Sequence, residues 1–508
     1  MATHQTKLEC GPSSAAVAAV AAALPRRVTT EHPRPRAVCE KDWLDIVQCL
    51  GLLRTRIETD LFHRALAIVR RSFSTLSLVP VPSLLDDLTD IWQKIVSIRC
   101  NVVLKGQTRT PPGLVRRMLS YIPPLLHELS NGTSSTVGRG VRRRMLHRTV
   151  LDPASGAGIL VASLCLRALE QSSVVRHVIQ AASAQLAAPC NNDSMRRIDE
   201  KLLADTKDQL RGLISCLHAV DIDATSCTFT RMSILCSLGP VLHGLHVLEQ
   251  NKSGVSGSPW ALPCLRVFCG SSPSLFQGRT RSASSAHIDA ECPSKSLSFL
   301  WGRSFDIVVQ NPPYRNLERD RLETSGAAFQ FLTNAKHVSY WERCSFRHHN
   351  LYGYFLRLGL DRLVRGGIMI AVVLRNVFDL HKYPQDVEFH AELLRDTSIL
   401  AVDYGCFAGT DREFRDLPMD IRHKRAGGIE TVTLVLQARR PLPDHTFRVR
   451  AALTATSDAT CGAPAATVSV DEYEQSGLLT CGFGVIDPIL RSLHSPEDIR
   501  TQWSSLTQ

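Results

Sequence analysis

Apolar positions change period along the chain. Between residues 39 and 104 they fall at helical spacing, as in Trp43, Ile46, Val47 and Leu50 and again in Leu61, Leu66 and Ile68. This predicts a small helical N-terminal domain. Thr110-Pro111-Pro112 predicts the start of a further helix over 113–121, with prolines at the first positions, where a missing N–H removes no intrahelical bond. Short apolar runs then follow at 149–152, 217–221, 265–269, 306–310, 368–373, 399–403 and 431–437, interleaved with helical stretches at 159–169, 225–238 and 351–364. Strands alternating with helices predict an α/β fold, a Rossmann-like, doubly wound and mostly parallel sheet. Such sheets bind ligands at the carboxyl ends of their strands, near the point where the winding reverses.

The same patterning divides the chain into a flexible leader (1–38), the helical region (39–104), the sheet domain (105–440) and a C-terminal extension (441–508). Two insertions interrupt the sheet pattern, a serine-rich stretch at 271–298 and a segment of arginines, histidines and aromatics at 315–350. No unbroken apolar run of about 18 residues occurs, so a membrane span is not expected. The alanine-rich run 15–24 lacks the basic start of a secretory signal. We expect a soluble, intracellular protein, in the cytoplasm or with the nucleus or nucleoid; a second reading, organelle targeting, rests on Arg26, Arg27, Arg34 and Arg36.

Composition changes this picture little. Hydrophobic residues make up 44% and charged residues 21% of 508, ordinary values that exclude a disordered chain, a coiled coil or a collagen-like rod. Sixteen cysteines contain no C-x-x-C pair, and the two nearest, Cys264 and Cys269, are five positions apart. They read as reduced, structural thiols, and no metal site is expected. The net charge of +11 suits a polyanionic partner. Residues 129–151 contain no acid and carry Arg139, Arg142, Arg143, Arg144 and Arg148. That stretch is either a solvated basic loop or an arm that contacts phosphates.

Three groups of residues carry chemistry. Asp152-Pro153-Ala154-Ser155-Gly156-Ala157-Gly158 lies where the first strand hands over to its helix. Glycines there allow a ligand close to the backbone, near unpaired N–H groups, although a tight turn alone would look the same. Asp221 ends the second strand, where an acid can accept hydrogen bonds from both ribose hydroxyls of a nucleoside. The alternative is a cap for the following helix, a role that suits Asp223 better. Asn311-Pro312-Pro313-Tyr314 directly follows the apolar strand 306–310. A proline-stiffened strand exit would not account for its following the glycine loop and Asp221 in that order.

Gly106 and Thr110-Pro111, the glycine loop, Asp221 and Asn311-Pro312-Pro313-Tyr314, in that order, resemble the S-adenosylmethionine-dependent amino-methyltransferases of DNA. The likeness is to the adenine-N6 branch, whose cofactor motif precedes its catalytic motif. It runs from about residue 100 to 440 and includes Asn350-Leu351-Tyr352-Gly353-Tyr354-Phe355 and a helix ending in Gly366-Gly367. The resemblance implies a class I methyltransferase fold and transfer of a methyl group from S-adenosyl-L-methionine to adenine N6 after base flipping, with no metal. It implies that Thr110 meets the cofactor's carboxylate end, that Asp152, Pro153, Ala154, Gly156 and Gly158 hold its methionine portion, and that Asp221 holds its ribose. Ser271 stands where an acid usually meets the adenine amine. Asn311 and the Pro312 carbonyl would accept hydrogens of the target amine, whose lone pair is otherwise delocalised into the ring. Pro313 would stiffen the loop, Tyr314 would stack on the flipped base, and Phe407 would close its other face unless it is a core phenylalanine. The chain departs from the family at Thr108 and Arg109, where aromatics are frequent, and at Leu160, where phenylalanine is common.

Other readings keep the site and change the target to adenine in RNA or a protein glutamine amide. A reading of another class is a non-catalytic, cofactor-binding subunit that docks nucleic acid; the intact tetrapeptide speaks against it. Target recognition would fall to the helical N-terminal part and the 315–350 insertion, or to a separate specificity subunit.

Overall fold

The computed structural model describes residues 46, 49, 53–99, 110–122, 148–187, 200–250, 263–269, 300, 303–314, 350–374, 397–403, 431–438, 446–450 and 465–469. The seven apolar runs are all strands: β1 (Val150–Asp152), β2 (Leu217–Asp221), β3 (Arg266–Cys269), β4 (Phe305–Gln310), β5 (Leu363–Leu374), β6 (Ser398–Asp403) and β7 (Thr431–Gln437). Two more, β8 (Thr446–Arg450) and β9 (Ala465–Ser469), extend the sheet, whose order is β3-β2-β1-β4-β5-β7-β6-β8-β9. Strands β1 to β5 pair in parallel, while β7 runs antiparallel between β5 and β6. This is the mixed, mostly parallel, doubly wound sheet that the sequence pattern predicts. The chain winds from β1 outward to β3, then returns to the other side of β1 for β4 and β5. The reversal therefore lies between β1 and β4, whose carboxyl ends open the crevice.

Both sheet faces are covered, which is why these strands read as continuous apolar runs. Val150, Ala219, Val267, Ile307, Ile370 and Val435 point into one large core. That core is built with helices α1 (Arg56–Ser72), α2 (Val81–Ile98), α3 (Pro112–Ser120), α4 (Ile159–Gln171), α5 (Ser173–Ala187), α6 (Glu200–Cys216) and α7 (Ala224–Gln250). On the opposite face α8 (Leu351–Asp361) packs on β5. The described helices of the N-terminal region are continuous with this core, since α1 and α2 both pack on α7. Arg99 pairs with Glu58 at 2.6 Å and donates to Thr225 Oγ1 at 2.7 Å, tying the α1–α2 pair to the start of α7.

Two boundaries differ from expectation. The α8 helix stops at Asp361 instead of 364, and Gly366-Gly367 lie inside strand β5. Gly366 has φ +82°, and a Cβ on Gly367 would meet the Asp306 carbonyl at 3.0 Å, so the pair lets β5 shift register against β4. Leu363 and Val364 continue the apolar spacing of α8, and this hides the change of period. Helix α7 runs twelve residues beyond the expected 238, through Pro240, with Gly239 packed against Ser72. It is long and apolar enough to cross a bilayer by length and composition, yet 83% of that stretch is buried within the protein. The seven described cysteines, among them Cys165 and Cys236, are free thiols.

Trp92 of α2 joins the helical layer to the sheet. It is buried, its Nε1–H donates to Ser226 Oγ at 3.1 Å, and its ring backs Gly156, where an added Cβ would lie 3.3 Å away. Trp92→Ala should cost about 3–5 kcal/mol of stability, read as a lower urea midpoint with little change in slope. An unchanged midpoint would mean that the sheet does not depend on this layer.

Candidate active site

The turn after β1 is shaped by two left-handed glycines, Gly156 at φ +53° and Gly158 at φ +77°. A Cβ on Gly158 would lie 2.6 Å from the Thr230 Cα of α7, so the position requires glycine for both dihedral and space. Helix α7 also supplies polar contacts to this loop. Thr230 donates to the Gly156 carbonyl at 3.1 Å, Ser233 to Ala157 at 2.8 Å and Ser237 to Ala162 at 2.9 Å. The first two reach carbonyls of the turn itself, and the third reaches a carbonyl in the first turn of α4. The Ser155 N–H reaches the Val220 carbonyl of β2 at 3.0 Å. The loop is therefore braced from below, with its outer side toward the crevice.

Two buried acids stand at adjacent strand tips. Asp152 accepts the Ala154 N–H at 3.1 Å. Burial pushes its carboxyl up to about 8; the nearby Asp221 charge adds to this, and the Ala154 N–H opposes it. Asp221 accepts the Gly156 N–H at 2.9 Å and, through its other oxygen, the Asp223 N–H at 2.9 Å. The capping role belongs to Asp223, whose Oδ2 accepts both the N–H and the hydroxyl of Ser226. Asp221 thus orients the glycine loop from the tip of β2. Two buried carboxylates side by side favour a cationic guest.

The third tip belongs to β4. Val150 and Leu151 pair with Ile307 and Val308, so Asn311 projects past the level of Asp152 by two residues, roughly 7 Å. Its Nδ2 donates to Thr110 Oγ1 at 3.0 Å, and its Oδ1 accepts from the Tyr314 hydroxyl at 2.6 Å. That hydroxyl also lies 3.0 Å from the Val372 carbonyl of β5. Pro312 is buried, Pro313 is half-buried, and the Tyr314 ring lies 6.1 Å from Tyr352 of α8. The fold thus brings together Thr110, Asp152 to Gly158, Asp221 and Asn311 to Tyr314, drawn from four separate stretches of sequence.

Ser271, Phe407, Arg139, Arg142, Arg143 and Arg144 lie outside the described residues. Arg148, the described member of that arginine group, forms an ion pair within the sheet. It donates to Asp306 at 3.0 Å, beside the N–H and hydroxyl of Thr149, which reach the same carboxylate at 2.9 Å. It precedes β1, so it sits at the edge of the sheet away from the glycine loop, and its charge holds β1 to β4. Sequence reasoning missed Ile222, 53% exposed beside the Asp221 tip; an apolar side chain between two acids was the available signal. It also missed the hydroxyl ladder of α7, whose Thr and Ser residues at helical spacing resemble an ordinary polar face. Among the described residues, no three His, Cys, Asp or Glu side chains are grouped to hold a metal.

Residues 215–406 match the Eco57I restriction-modification methylase family, a span that includes Asp221 and Asn311 to Tyr314 and begins after the glycine loop. No curated protein matches the chain. Among solved structures, the type IIG restriction endonuclease BpuSI is 14% identical, with 78% of this chain and 35% of that one covered and a TM-score of 0.38. DrdV, solved as a DNA complex, is 16% identical over 73% and 30% of the two chains, with a TM-score of 0.40. The methyltransferase subunit of a type I restriction-modification system from Streptococcus thermophilus is 12% identical over 72% and 52%, with a TM-score of 0.31. The chain spans about half or less of the length of each.

Asp152 gives this site a pH signature. Its carboxyl rises from an ordinary 3.8 to about 8 on folding, chiefly through burial. The stability it contributes is therefore full below about pH 3.8 and is lost as pH rises toward 8, because the folded state then holds a proton the unfolded chain has released. Asp152→Asn keeps the acceptor for Ala154 and cannot ionise. Its melting temperature should match wild type near pH 4 and exceed it by a growing margin up to pH 8. A margin independent of pH would contradict the burial of an ionising group.

Proposed function

We propose that this chain, whose residues 215–406 match the Eco57I restriction-modification methylase family, methylates the N6 amino group of adenine in DNA, using S-adenosyl-L-methionine. The observation that carries this reading is the carbonyl oxygen of Asn311 aimed at a donor 2.6 Å away, at the tip of β4 beside the glycine crevice. The methylase family supports DNA as the substrate, and the net charge of +11 favours a polyanion.

S-adenosyl-L-methionine supplies a methyl group on a sulfonium that already carries its leaving group. The chain's residues fit such a ligand. Asp221 gives the crevice negative character, a cationic guest would favour ionisation of Asp152 beside it, the glycines admit the ligand close to the backbone, and Ile222 offers an apolar surface to a purine. Asp221, at the tip of β2, stands where an acid accepts hydrogen bonds from ribose hydroxyls in such sheets. Asn311 Oδ1 and the Pro312 carbonyl accept hydrogens of the target amine, which draws its lone pair out of conjugation and toward the methyl group. Tyr314 contributes the ring against which an unstacked base rests. Catalysis by these groups is positioning and charge preorganisation. Target recognition lies outside this constellation, in other parts of the chain or in a specificity subunit.

Transfer of labelled methyl groups to DNA, RNA and protein pools, followed by nucleoside analysis, tests the reading directly; N6-methyladenine from DNA is the expected product. Asn311→Ala should lower the transfer rate by about ten-fold or more while S-adenosylhomocysteine affinity stays within a few-fold. A variant retaining near wild-type rate would remove Asn311 from the chemistry.

Asp221→Ala should weaken S-adenosylhomocysteine binding by at least about ten-fold, since each hydrogen bond to a charged acceptor is worth about 1.5–3 kcal/mol. It should also lower stability, because the Gly156 and Asp223 N–H groups lose their acceptor. Reduced stability with unchanged affinity by calorimetry would confine Asp221 to bracing the loop.

A further inference from the structure

The carboxamide of Asn311 is nearly symmetric in shape. A half-turn about its last bond exchanges oxygen and nitrogen with almost no steric change. Only one of the two orientations can serve an amine, because in the other a pair of N–H donors would face a donor. Something must therefore select the orientation, and the selection has to persist while substrate is bound.

Two groups hold the amide now. The Tyr314 hydroxyl lies 2.6 Å from Oδ1 and 3.0 Å from the Val372 carbonyl, between which its single proton is divided, while Nδ2 donates to Thr110 Oγ1 at 3.0 Å. The Tyr314 hydroxyl cannot select the orientation in the reacting state, because the target amine must take its place at Oδ1. The Thr110 contact lies at the other end of the amide and is compatible with bound substrate.

We infer that Thr110 is a positioning residue for methyl transfer. Its hydroxyl anchors the Asn311 nitrogen, which keeps the oxygen aimed at the amine after the Tyr314 hydroxyl gives way. This rests on the proposed role of Asn311 as the amine acceptor, and it adds a task to Thr110 beyond the cofactor contact implied by resemblance. The surroundings suit an anchor. Thr110 is 6% exposed, and Pro111 follows it with φ −62° and ψ 147° at the entrance to α3. A residue before proline is confined to extended backbone, so the hydroxyl is presented from a stiff base. The contact joins positions 201 apart in sequence.

The test compares Thr110→Val, which keeps the shape and removes the hydroxyl, with Thr110→Ser, which keeps the hydroxyl. At saturating S-adenosylmethionine and DNA, where any loss of cofactor affinity from the missing hydroxyl is masked, kcat of Thr110→Val should still fall about ten-fold or more. Thr110→Ser should recover most of that loss, which excludes general misfolding at this position. Adding Thr110→Val to Asn311→Ala should produce no further fall in kcat, because the anchor acts only through Asn311. Weakened cofactor affinity with unchanged kcat would overturn the inference and leave Thr110 a cofactor contact alone. An additive double variant would overturn it as well. Should the wild-type protein methylate no nucleic acid, the functional reading fails first. The anchor is then decided by solvent exchange of the Asn311 side-chain amide hydrogens, whose signals are identified by their loss in Asn311→Ala. Exchange at least about ten-fold faster in Thr110→Val supports the anchor, and equal exchange overturns it.

Discussion

The contact on which the structure turns is the approach of the glycine loop to helix α7, so close at Gly158 that a single methyl group would strike the Thr230 backbone. That proximity has consequences in both directions. It lets Thr230, Ser233 and Ser237 reach carbonyls of the loop and of the first turn of α4, so a segment with two left-handed residues is held without strands of its own. It also explains why α7 is buried along most of its length and why α1, α2, α4 and α5 assemble around it. Trp92 closes the arrangement from the far side by filling the space behind Gly156. The loop can then present its outer face to a ligand without collapsing into the crevice.

Stability is given up at the strand tips. A carboxyl as buried as Asp152 ionises near neutral pH only with difficulty, and the charge of Asp221 beside it makes ionisation harder still. A protein selected for stability alone would carry an asparagine or an apolar residue there. The pair makes sense as an unfinished charge arrangement that a cation completes. Asp221 has a second task in the same place, because its bonds to Gly156 and Asp223 orient the loop and the start of α7. Under the proposed function, ligand recognition and loop geometry are coupled through one side chain.

The crevice also shows how a doubly wound sheet gathers chemistry. Reversal of winding between β1 and β4 leaves a gap that no crossover helix fills. Residues from the ends of β1, β2 and β4 meet there with Thr110, which arrives from outside the sheet. The opposite edge does the mechanical work, as the Arg148–Asp306–Thr149 cluster fastens β1 to β4. Charges of one chain thus divide between an edge that binds and an edge that holds.

Much of this was determined by the sequence alone. Buried strands covered on both faces must be apolar on both, so β1 to β7 and their order in the chain were legible, whereas β8 and β9 were not. The left-handed turn at Gly156 and Gly158 and the proline-stiffened exit at Asn311-Pro312-Pro313-Tyr314 announce themselves because few other residues can occupy such backbones. Tertiary structure decided the rest. Apolar spacing reports that a residue is buried but not what buries it, so the described helices of the N-terminal region read as a unit of their own although they share the α7 core. The same limit hid the passage from α8 into β5 at Leu363, where Gly366 and Gly367 accommodate a register shift visible only against β4. Arg148 reads as a free cation until Asp306, far along the chain, is folded beside it. The orientation of the Asn311 amide is the extreme case, since it depends on Thr110, Tyr314 and Val372, and contacts between distant positions leave no period in a sequence.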